Sequence, residues 1–81
     1  MITGDQIRAA RALLRWSAKL LAEKSGVSVP TIQRMEAAGG VPTAITKNLE
    51  AIEQTLRDAG IEFVGKNGGG VGVRFKKRRQ G

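Results

Sequence analysis

The sequence predicts a mainly α fold: a compact four-helix domain closed by a C-terminal β-hairpin. Three observations carry this. Apolar residues recur at helical spacing in stretches that open on capping residues. The second and third helices are separated only by Ser25-Gly26-Val27. From Ile61 onward the apolar period changes from helical to two.

Thr3-Gly4-Asp5-Gln6 fits a capping box, Thr3 reaching forward to a free N–H and Gln6 reaching back. The helix it opens runs to about Arg15, with Ile7, Ala10, Arg11 and Leu14 on one stripe. An arginine on an inward stripe needs a partner, because an unpaired buried charge is costly. At about 100° per residue the third helix turns Ile32 and Met35 inward, with Glu36 on the same edge. A partly buried Arg11–Glu36 ion pair joining the first and third helices is therefore expected. Trp16 begins the second helix as a core anchor and Ser17 caps it. Leu13, Leu14, Leu20, Leu21, Val27, Ile32 and Met35 complete the expected helical core.

Gly26 stands where a helix end needs left-handed backbone. Ser28 caps the third helix, and Pro30 falls in its first turn, where a missing N–H costs nothing. Ala37 to Pro42 end that helix in a short loop. Thr43 is expected to cap a fourth helix reaching about Asp58, with Ile45, Leu49, Ile52 and Leu56 inward and Gly60 as its stop. Ile61–Val64 and Val71–Phe75 read as strands, with Lys66–Gly70 as their loop. A lone hairpin is marginal in water and leaves an open edge. Packing on the fourth helix, together with strand pairing to a second chain, answers both problems. Ile61, Phe63, Val71, Val73 and Phe75 are accordingly the expected dimerisation residues.

Two short helices around so tight a glycine turn form a helix-turn-helix. Leu21-Ala22, Gly26-Val27-Ser28, Thr31-Ile32 and Met35-Glu36 resemble the motif of the Cro/phage-repressor (XRE) family of transcription factors, over roughly Ile2 to Leu56. The resemblance implies a λ-repressor-like domain, and it implies the Arg11–Glu36 pair as well. One departure is Ala18, which stands where the family often carries a phosphate-binding Gln.

Charge agrees with a polyanionic partner. The chain carries 14 Lys+Arg against 7 Asp+Glu, a net +7 over 81 residues, with no cysteine and no histidine. Residues 1–35 hold Arg8, Arg11, Arg15, Lys19, Lys24 and Arg34 against Asp5 and Glu23, and Arg74, Lys76, Lys77, Arg78 and Arg79 crowd the end. Without Cys or His there is no disulfide frame, and the commonest metal ligands and general base are missing. The acidic residues are scattered, which argues against catalysis, and no metal site or cofactor is expected. No apolar run nears the ~20 residues of a membrane span. The start does not read as a signal peptide, so a cytoplasmic protein, nucleoid-associated when bound, is expected.

In a helix-turn-helix the N-terminal part of the second motif helix enters the major groove. Arg34 can grip guanine O6/N7 and Gln33 adenine, Thr31 can bond a base or a phosphate, and Val29 and Pro30 can touch a thymine methyl. Arg15, Ser17, Lys19 and Ser28 are the expected phosphate contacts. The expected organisation is a DNA-binding unit over residues 1–59, a dimerising hairpin over 60–75 and a basic, disordered tail over 76–81. The expected function is a repressor that binds a two-fold double-stranded operator as a homodimer, controlled by its concentration or by a protein regulator. The alternative is an antitoxin-like interaction module whose C-terminal strands bind another protein. RNA recognition is disfavoured, since no aromatic pair stands on a sheet to stack bases.

Overall fold

The computed structural model describes residues 2–42, 45–65 and 70–76. Helix α1 (Gly4–Leu14) opens on the capping box: Thr3 Oγ1 accepts the Gln6 N–H at 3.0 Å, and Gln6 Oε1 accepts the Thr3 N–H at 2.9 Å. It ends at Arg15, which adopts φ 59°, the one non-glycine with positive φ among the described residues. Helix α2 (Ala18–Ser25) begins after Ser17, whose Oγ accepts the Leu20 N–H at 3.0 Å, and Gly26 ends it at φ 79°. Helix α3 (Val29–Ala38) is capped by Ser28, with Pro30 in its first turn.

Helix α4 (Thr46–Asp58) starts later than expected. Ile45 occupies its N-cap with no side-chain bond, and the expected cap Thr43 lies outside the described residues. Ile45 is consequently 70% exposed, whereas Leu49, Ile52 and Leu56 are buried. A residue before the first turn does not have helical backbone, so the stripe cannot be extrapolated back to it. Leu13 is likewise exposed rather than part of the core. It lies on the flank of α1, away from the Ile7–Ala10–Leu14 stripe. Trp16 precedes the α2 cap and is half-buried against the core.

Strands β1 (Ile61–Val64) and β2 (Gly72–Phe75) pair antiparallel in the register Ile61↔Phe75, Glu62↔Arg74, Phe63↔Val73 and Val64↔Gly72. Val71 therefore stands just outside its strand. The expected loop residues 66–69 and tail residues 77–81 lie outside the described residues. Ile61 is 1% exposed within the helical core, and Phe63 and Val73 pack against it. Burying one such side chain contributes about 1.5–3 kcal/mol, which attaches a hairpin too small to stand alone. Gln6 adds a polar latch: its Nε2 donates to Val64 O at 3.2 Å and to Gly72 O at 2.9 Å.

Helix α1 is the hub of this arrangement. Its first N–H groups, unpaired within any helix, are taken up by carbonyls just beyond the end of α3. Gly4 N–H donates to Gly40 O at 2.8 Å and Asp5 N–H to Gly39 O at 3.1 Å. Gly4 sits so close to the Met35 carbonyl that a Cβ there would collide with it. No helix among the described residues is long and apolar enough to cross a membrane.

Candidate nucleic-acid interface

The position of α3 is set from behind. Ile32 and Met35 are completely buried, and Glu36 at 8% exposure is the one acidic residue in the interior among the described residues. Arg11 meets it in a two-pronged bond, Nε to Oε2 at 2.7 Å and Nη2 to Oε1 at 2.8 Å. The third prong, Nη1, donates to the Trp16 carbonyl at 2.9 Å. One guanidinium thus ties α1, the segment entering α2, and α3 together. The hydrogen bond to Glu36 raises the Arg11 pKa further above its ordinary value, so this cation is permanent.

The opposite face of α3 is open. Pro30, Gln33 and Arg34 are exposed, and Val29 and Thr31 are half-buried. A string of polar groups runs along the first turns: Ser28 Oγ donates to Thr31 Oγ1 at 2.9 Å, and Arg34 Nη2 donates to the same oxygen at 3.2 Å. Arg34 is therefore held along its own helix rather than swung free. An open groove beside the C-terminal half of α3 is lined by Thr31, Arg34, Met35, Pro42, Ile45 and Asn48.

Ion pairing sorts the remaining cations. Arg8 is paired with Asp5, Arg11 with Glu36, Arg57 with Glu53 and Arg74 with Glu62. The Lys24 ammonium lies 5.3 Å from the centre of the Trp16 ring. Among the described residues Arg15, Lys19, Lys24, Arg34, Lys47 and Lys76 take part in no ion pair, and all six are exposed; the first four belong to the motif or its approach. Ser17 and Ser28, exposed at the N-termini of α2 and α3, spend their side-chain oxygens on capping, which leaves first-turn N–H groups as anion donors.

Of the residues expected at a dimer contact, Ile61 is buried in the chain's own core and Phe63 and Val73 lean on it. Only Val71 and Phe75 turn substantial apolar surface outward, at 41% and 44% exposure. Two roles were not legible in the sequence: the Gln6 latch to the hairpin and the Arg11 bond to the Trp16 carbonyl. Both go to main-chain oxygens, which no side-chain pattern marks.

A helix-turn-helix family model matches residues 7–57, spanning most of α1, all of α2 and α3, and nearly all of α4. A search of curated proteins found no match. The matched segment covers well over half of the chain, and its helices have the capped, glycine-turned arrangement described above. The chain accordingly belongs to the helix-turn-helix family of Cro/phage-repressor (XRE) type and is a DNA-binding regulator.

Proposed function

We propose that the protein is a cytoplasmic repressor that binds a two-fold operator in double-stranded DNA as a homodimer, with α3 in the major groove. The observation that carries this reading is the sorting of charge. Among the described residues the arginines outside the motif and its immediate approach, Arg8, Arg11, Arg57 and Arg74, each have a carboxylate partner, while Arg15 and Arg34 have none. Of the lysines without one, Lys19 and Lys24 belong to the motif and Lys47 and Lys76 lie elsewhere. Unpaired cations are the ones free to displace counterions from phosphates. In this reading Arg34 and Gln33 take base edges, Thr31 bonds a base or a phosphate, and Val29 and Pro30 touch a thymine methyl. Arg15, Lys19 and the capped ends at Ser17 and Ser28 fix the register on the backbone.

The test is enrichment of a random-sequence duplex pool, followed by Arg34→Ala on the enriched site. The expected result is a motif of two similar halves about one helical turn apart. The variant should lose about 1–3 kcal/mol of discrimination at a single position in each half, with an unchanged melting temperature. Uniform weakening over all sequences would reassign Arg34 to the backbone. Failure to enrich any motif, with a second polypeptide co-purifying, would favour the interaction-module alternative.

A further inference from the structure

The outer edge of β2 is open, and its chemistry is that of an unfinished sheet. The Lys76 N–H donates to Gly60 O at 2.7 Å, which sets the phase of the ladder. Bonded pairs alternate along antiparallel strands, so Glu62↔Arg74 and Val64↔Gly72 exchange the hydrogen bonds inside the hairpin. The main-chain groups of Val73 and Phe75 therefore point away from β1. No main-chain bond from another element reaches them among the described residues. The corresponding edge of β1 is less available, since none of its residues is exposed and the Arg57 guanidinium lies 5.3 Å from the Phe63 ring.

Val71 and Phe75 expose apolar surface at this edge. Leu13, Val71 and Phe75 are three of the five exposed large hydrophobics among the described residues. Val71 and Phe75 flank the edge directly. Leu13 lies on the side of α1 that carries Gln6, about two turns further along, and Gln6 is the residue bonded to Gly72 O.

We infer that this edge pairs antiparallel with the same edge of a second copy, the two-fold axis passing at Val73, to form one four-stranded sheet. The inference rests on the homodimer reading above and specifies where that dimer forms. In this register Val71 faces Phe75 of the partner subunit and Val73 faces Val73 of the partner subunit. The outward N–H and C=O groups of these residues are then used, and the exposed side chains form aromatic–aliphatic cross-strand pairs. Arg74 falls opposite Gly72 of the partner subunit, where there is room for it. A register centred on Arg74 would instead set two guanidinium groups face to face and leave Val71 uncovered. The bond from Arg74 to Glu62, 3.2 Å at both prongs, neutralises the one charge between Val71 and Phe75, which would otherwise keep a second edge away.

The chain has no cysteine, so cross-linking reads the register directly. Gly72→Cys and Arg74→Cys are made in separate full-length chains. A Cβ at Gly72 meets nothing within 4 Å, so the first substitution is accommodated. Across the proposed axis the two positions form a non-hydrogen-bonded pair with Cα atoms about 4.5 Å apart, within disulfide reach. With oxidised glutathione, the mixture should give a covalent dimer joined 72 to 74, and either chain alone should not. Arg74→Cys cross-linking to itself would overturn the register, and no cross-link in any combination would overturn the interface.

Phe75→Pro supplies a second measurement. It removes an outward N–H without touching the hairpin ladder, so the circular dichroism should hold. The dimer dissociation constant from sedimentation should rise at least about thirtyfold, from one bond lost per copy, with the lost Phe75 ring adding to it. An unchanged constant would overturn the proposal. Unmodified protein is carried through the random duplex pool in parallel. Enrichment of a two-fold motif without cross-linking overturns the β2 interface alone. Cross-linking without any enrichment upholds the interface and overturns the operator reading.

Discussion

Glu36→Ala is the sharpest test of how helix α3 is held. The substitution removes both acceptors of the Arg11 fork and leaves a guanidinium only 21% exposed at its side chain with no anionic partner. Removing one member of a fully desolvated pair costs about 3–5 kcal/mol. The residual exposure and the surviving bond to the Trp16 carbonyl lower the expected loss to about 2–3 kcal/mol. At about 4–8 °C per kcal/mol for a domain of this size, the melting temperature should fall by about 10–20 °C. Thermal unfolding followed by circular dichroism, on Glu36→Ala, Arg11→Met and the double variant, gives the coupling between the two sites. The double variant should be far more stable than the sum of the single losses implies, since two apolar groups leave no orphaned charge. A Glu36→Ala protein that melts with wild type, or a double variant whose loss equals the sum, would refute the argument.

Other outcomes follow from single contacts. Gly4→Ala should destabilise by about 1–3 kcal/mol, read as a lower melting temperature, because its methyl meets the Met35 carbonyl. Helix propensity alone predicts a gain of up to about 1 kcal/mol, so the sign of the change decides which effect wins. Arg15→Gly should hold or raise the melting temperature. Glycine holds the same left-handed backbone without a Cβ clash, which relieves about 1–2 kcal/mol, and its flexibility in the unfolded chain returns about 0.5–1 kcal/mol. The same variant should bind duplex more weakly, with a salt slope lower by about one. The Glu62 carboxyl should titrate below the usual carboxylate range, because Arg74 donates to it. A depressed folded pKa means that the contribution of the pair is complete above the unfolded carboxylate pKa and is lost as pH falls through the folded one. An NMR titration of Glu62 should show this depressed midpoint, and Arg74→Ala should return it to the ordinary range.

Most of the helical frame could be read from residues close together in the chain. The Thr3–Gln6 box, the caps at Ser17 and Ser28, and the turn at Gly26 are satisfied by atoms within about one turn, so local spacing is enough to find them. The stripe through Leu49, Ile52 and Leu56 was equally legible, but its first member was not. Whether Ile45 is buried depends on where α4 begins, and no capping side chain marks that point. Leu13 shows the same limit from another side. A leucine on a helix flank is buried only if some other element covers it, and its own helix carries no record of that.

The chain alone was sufficient for the period, the caps, the turn and the excess of positive charge, because each is a property of neighbouring residues. Packing decided which of those charges remain available. Arg11 and Arg34 look alike in the sequence, yet one is clamped by Glu36 inside the domain and the other stands in solvent on α3. Packing also gave Gln6, whose Oε1 still closes the capping box, a second role through Nε2 as the link between α1 and the hairpin. It committed Ile61 to the chain's own core while leaving Phe75 at the open edge. These outcomes depend on atoms distant along the chain, brought within bonding distance only once the helices have closed on one another.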